Sequence, residues 1–90
     1  MPNRAVHRRL ACSATQQEVL AENPLRVYAL LVNDGAADIY LAFSGPAVIN
    51  GGVRLNNGGG SYEINLMNPW QGTVNAVGDA TNPVLLITEW

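Results

Sequence analysis

Lysine is missing from this chain, and its five basic residues are all arginines. Charged residues make up 13% of the sequence, about half the usual quarter. So little charge implies that part of the surface faces something other than water. Lysine is depleted from protein interfaces, whereas arginine is enriched there. The base composition of the source genome offers a second explanation for the missing lysine.

Cysteine and histidine are nearly absent too. Cys12 is the single cysteine, which excludes an intrachain disulfide. With His7 as the single histidine, a zinc site lacks ligands. The segment "RRLAC" has the look of a lipoprotein signal, but no apolar run of about 7–15 residues precedes Cys12. No stretch approaches the roughly 20 apolar residues of a membrane span. The expectation is a soluble protein made in the cytoplasm, with no membrane partner and no cofactor.

The chain has 90 residues, which makes one domain. A chain of this size buries only about 60–65% of its unfolded surface. Small domains gain further stability from disulfides, a metal or partner subunits. The first two are excluded here, which leaves oligomerisation or docking on a larger assembly.

What is present is a succession of short apolar runs broken by turn residues every 8–12 positions, the pattern of a sandwich or barrel. A strand is expected within residues 5–14 and another ending near Leu20. Asn23-Pro24 makes a turn, and a third strand follows from Leu25 to Val32. Both faces of that strand are apolar, so it should be covered on both sides. Asn33-Asp34-Gly35 reads as a hairpin, leading to an alternating strand from Asp38 to Phe43. Further strands are expected at Val53–Leu55, at "SYEINL" after a Gly58-Gly59-Gly60 hairpin loop, at Thr73–Val77 and at Val84–Trp90, with "GDATNP" as a turn. The sum is an all-β chain of seven or eight strands: a small antiparallel β-sandwich or jelly-roll-like barrel. The three glycines are not a phosphate cradle, because they lead into a strand rather than a helix N-terminus and no lysine accompanies them.

Candidate chemistry is sparse. Nucleophilic catalysis needs a nucleophile in contact with a base, and His7 and Cys12 are the only such pair. Asp34 and Asp38 flank a turn, but calcium needs six to eight oxygens. The expectation is a protein without catalytic residues or a metal site.

Binding residues are easier to nominate. Arg4, Arg8 and Arg9, with His7, make residues 1–14 a basic arm on the acidic body formed by residues 15–90. The arm is either a solvated tail or a clasp for an acidic partner surface. Three arginines neutralise few phosphates, which disfavours nucleic acid. Trp70, in the loop "MNPWQG", is either a plug over the core or an interface anchor. The loop "SGPAVINGG" at residues 44–52 is long for a hairpin, and its Val48 and Ile49 call for a packed or interfacial setting. A sugar groove using Trp70 and Tyr40 as stacking platforms is a further reading.

The run "NPLRVYALLVNDGAADIYLAF", then "GGVRLNNGGGSYEI", then "VNAV" and a closing "VLLITEW" resemble small virion proteins of tailed bacteriophages. The resemblance covers residues 16–90. Its matching positions are Asn23, Pro24, Arg26, Asn33, Gly35, Ile39, Tyr40, Phe43, Gly52, Leu55, Gly59, Gly60, Ser61 and Glu63. It implies a non-enzymatic all-β head protein of the capsid decoration (cement) or head-fibre-base type. Such a protein forms a homo-oligomer, with a trimer favoured, and sits on the capsid surface of the virion. It binds the outer surface of the major capsid protein lattice and holds neighbours together against internal DNA pressure. On that reading the contacts fall to Arg4, Arg8, Arg9, Val48, Ile49 and Trp70. The alternative is a carbohydrate-binding or adaptor module of a tail or fibre.

Overall fold

The computed structural model describes residues 5–79 and 84–90. Arg4 and most of the "GDATNP" turn fall outside the described residues. Eight strands are present: β1 (Val6–Ala11), β2 (Gln17–Leu20), β3 (Ala29–Asn33), β4 (Ile39–Phe43), β5 (Val53–Leu55), β6 (Ser61–Ile64), β7 (Val74–Gly78) and β8 (Val84–Glu89). Among the described residues there is no helix.

The strands form two antiparallel sheets, with orders β1-β8-β3-β6 and β2-β7-β4-β5. The pairing is concentric: β1 with β8, β2 with β7, β3 with β6 and β4 with β5. Two further ladders, β3 with β8 and β4 with β7, complete the sheets. This is one long hairpin rolled up on itself, the jelly-roll arrangement of two Greek keys. The residues between 5 and 14 thus contribute β1, an edge strand of the first sheet.

Side-chain alternation along each strand sorts residues between core and exterior. The inward residues Val19, Leu31, Ile39, Leu41, Leu55, Ile64, Val74, Leu85 and Ile87 are buried between the sheets. Each buried side chain of this kind contributes about 1.5–3 kcal/mol. Leu10, Phe43, Tyr62 and Trp70 close the margins of this core.

Two turns differ from the sequence expectation. Asn33-Asp34-Gly35 joins β3 to β4, and the glycine loop joins β5 to β6, so both cross between sheets instead of making hairpins. Positive φ falls at Gly58 (74°) and Gly59 (120°), not at Asp34 or Gly35. Without that conformation an Asp-Gly pair does not close a tight hairpin. The two arches are laced together instead. Asn33 is buried; its Nδ2 donates to the carbonyls of Ala37 (2.8 Å) and Leu55 (2.9 Å). Its Oδ1 accepts from Gly35 N, and its backbone bonds Gly59 and Gly60. Asp38 adds a bond, its Oδ1 accepting from the amide of Asn57.

The third expected strand begins at Ala29 rather than Leu25. Residues 21–28 form a connection because the Arg26 side chain must turn inward at its base. The loop 44–52 joins β4 to β5 and folds back over the outside of the second sheet. There Ala47 packs on Tyr40 and Val77, and the Tyr40 hydroxyl donates to Asn50 Oδ1. At Gly52, where φ is 72°, a Cβ would stand 2.1 Å from the Leu41 carbonyl oxygen, so the fold-back requires glycine.

Candidate functional site

The strand directions gather the connections at two poles. The links 12–16, 34–38 and 56–60 lie at one pole. The links 21–28 and 65–73 lie at the other, beside the start of β1 and the end of β8.

That second pole is organised around one buried cation. Arg26, whose side chain is 0% exposed, donates from Nε to Glu89 Oε2 at 2.7 Å. Its other donors reach the carbonyl oxygens of Trp70, Gly72 and Ala21. The guanidinium thereby ties the link 21–28 to the link 65–73 and to the last strand. Gln71 adds bonds to the carbonyls of Pro24 and Arg26. Because the base is rigid, the tips it carries are held in place.

Both tips are Asx turns. Asn23 Oδ1 accepts from Leu25 N, and Asn65 Oδ1 accepts from the amides of Met67 and Asn68. Each turn spends its polar groups internally and presents apolar side chains outward. Leu25 is 84% exposed, Leu66 80% and Met67 94%, with Val6 and Val27 also exposed at this pole. The links 12–16, 34–38 and 56–60 of the opposite pole expose no large hydrophobic side chain of their own; the exposed Val48 and Ile49 lie on the loop 44–52, whose Ala47 amide donates to Gln16 Oε1. Leu25 was expected on a strand, and Leu66 at the end of the strand "SYEINL". The signal that locates them is an apolar residue inside an asparagine-capped turn.

The nominated binding residues are dispersed. Arg4 lies outside the described residues. Arg8, on the inward face of β1, donates to the Val19 carbonyl at 2.7 Å and bridges the two edge strands. Arg9 is exposed on the outward face of β1. Trp70 meets Phe43 edge-on, with ring centroids 5.6 Å apart, and its Nε1 donates to Thr73 O. It is a plug at the pole and half-buried. Val48 and Ile49 are exposed, but on the loop flanking the second sheet. Tyr40 is buried beneath that same loop, so it shares no groove with Trp70.

A shallow recess of about 360 Å³ opens between the β1 and β2 edges, lined by Val6, Arg8, Ala21, Glu22, Asn23 and Glu89. Of its three charged groups, Arg8 and Glu89 already hold partners within the chain, and Glu22 is exposed. No cluster of three metal-ligating side chains occurs among the described residues. Cys12 sits in the core, whereas His7 lies on the outer face of β1, where its Nδ1 bonds Thr88 Oγ1. Burial pushes the Cys12 thiol up to about 11, and a protonated, covered thiol is a poor nucleophile. Iodoacetamide at pH 8 is therefore expected to leave the native protein unmodified and to alkylate it in urea; mass spectrometry reads both. Rapid native labelling would show that the core opens at the link after β1. Comparison with protein-family models, with curated proteins and with solved structures finds no match.

Proposed function

We propose that this chain is a non-enzymatic structural protein of a tailed-phage particle, a decoration protein that stabilises the head by docking on the outer surface of the major capsid protein lattice. The observation that supports it most is the polarity of the roll. Its large exposed apolar side chains concentrate at one pole, on turns braced by Arg26. Exposed apolar clusters with polar surroundings mark interaction sites. The jelly roll is also an architecture that viral capsid domains use, and the sequence resemblance to small virion proteins points the same way.

The mechanism is summed contact energy. Burying Leu66 and Met67 against a shell protein is worth about 1.5–3 kcal/mol each. Repetition across a lattice multiplies that term without any chemical turnover. A braced pole also loses little entropy on docking.

Mass spectrometry of purified particles is expected to find the protein in the virion. In co-sedimentation, the wild-type chain should bind particles stripped of it, and Leu66→Ser/Met67→Ser should bind at least about tenfold more weakly. The double variant should keep its melting temperature to within a few degrees, since both side chains are largely exposed. Absence from particles, or undiminished binding by the variant, would reject the reading.

A further inference from the structure

The outer face of the first sheet has no described strand packed on it. Cross-strand pairing sets its side chains in rows. One row runs His7, Thr88, Leu30, Glu63, and the next runs Arg9, Leu86, Val32, Ser61. Tyr28 and Trp90, stacked at 4.3 Å, extend the middle of the face toward the apolar pole. Leu30, Val32, Val84 and Leu86 are only half-buried. The face is thus an apolar strip with His7 and Arg9 along one margin and the acid Glu63 beside Ser61 along the other.

We propose that this face is a contact between two copies of the chain, related by a twofold axis that lies between the faces and runs parallel to the strands. Such a rotation reverses each row and keeps its level. His7 then stands over Glu63 of the second copy, and Arg9 stands over Ser61, one residue pair from that same Glu63. In the middle Val32 meets Leu86, and Tyr28 and Trp90 come together with their counterparts. An isologous contact of this kind requires a self-complementary patch, and the order base, apolar, acid is self-complementary under this rotation. An axis perpendicular to the strands would place β1 on β1 and arginine on arginine, which is repulsive. The outer face of the second sheet is not equivalent, because the loop 44–52 covers it. Two sheets stacked this way pack about 10 Å apart, with strands aligned within about 30°.

This surface is separate from the apolar pole, so the contact stands or falls independently of the virion reading. Virion resemblance implies three copies; the rows pair two. Four short strands make a small contact, at the lower end of specific interfaces, so the equilibrium should depend on concentration.

Sedimentation equilibrium of the full chain, from about 1 to about 500 µM, spans the affinities such a contact reaches. A monomer–dimer equilibrium is expected. Arg9→Glu and Glu63→Arg should each weaken it at least about tenfold, and Arg9→Glu/Glu63→Arg should restore it. Glu63 accepts bonds from Tyr28 and Asn65, so its variant is checked for folding by near-ultraviolet circular dichroism. Arg9→Glu, on the exposed edge strand, decides the matter if Glu63→Arg does not fold. A chain that stays monomeric throughout, a trimer, or a dimer indifferent to Arg9→Glu would overturn the proposal.

Discussion

Replacing Arg26 by methionine is expected to remove about 3–5 kcal/mol of stability, the cost of breaking a buried ion pair from one side. The Glu89 carboxylate, 17% exposed, would lose its cation. The carbonyls of Ala21, Trp70 and Gly72 would lose their donor. Methionine restores the volume but none of these bonds. For a domain of this length about 1 kcal/mol moves the melting temperature by roughly 4–8 °C, so a fall of at least about 12 °C is expected by thermal circular dichroism. Small domains hold only about 5–15 kcal/mol in total, and the variant should sit near the edge of folding. The companion variant Arg26→Met/Glu89→Leu should recover part of the loss, because no orphan charge remains. A single variant that melts with the wild type would mean that water already satisfies this network.

Asn33→Ala is expected to cost roughly 3 kcal/mol, read as a lowered midpoint in urea at unchanged slope. The carbonyls of Ala37 and Leu55 and the amide of Gly35 lose their partner together. Each buried group left unsatisfied costs about 1–3 kcal/mol, and some are rescued by water at the arch surface. Asp38→Ala removes exposed bonds from the same arch and should cost well under half as much. Equal effects would locate the joint between the arches at Asp38 rather than Asn33.

Strand positions were legible because alternation is a local property. Ile39, Leu41 and Phe43 face the core as the pattern demands, and so do Tyr62 and Ile64. Pairing was less legible. Asp-Gly and a glycine triplet state where the chain bends, but not which sheet it enters next. The remaining surprises are polar residues whose surroundings are assembled from afar. Arg26 resembles any surface arginine until Glu89, 63 positions later, closes on it. Asn33 reads as a turn residue until Leu55 arrives. For Trp70 the sequence left plug and anchor open; the ring packs edge-on against Phe43 and is half-buried, so it covers the core margin and keeps an exposed side. Among binding residues, Val48 and Ile49 are exposed on their loop as an interfacial role requires. Leu25 and Leu66 escaped notice because periodicity assigns apolar residues to strands, and Met67, placed in the loop "MNPWQG", was not nominated as a contact.

The concentric roll also sets the order of events in folding. Among the described strands, β4 and β5 are the one consecutive pair that hydrogen-bonds, so they can meet early by closing the single loop 44–52. Every other ladder waits for distant segments, and Val6 must find Glu89 across nearly the whole chain. High contact order of this kind brings folding into the range of milliseconds to seconds. The outermost strand arrives last and, held along one edge only, is the first to leave; its departure would bare Leu10 and the margin of the core beneath it.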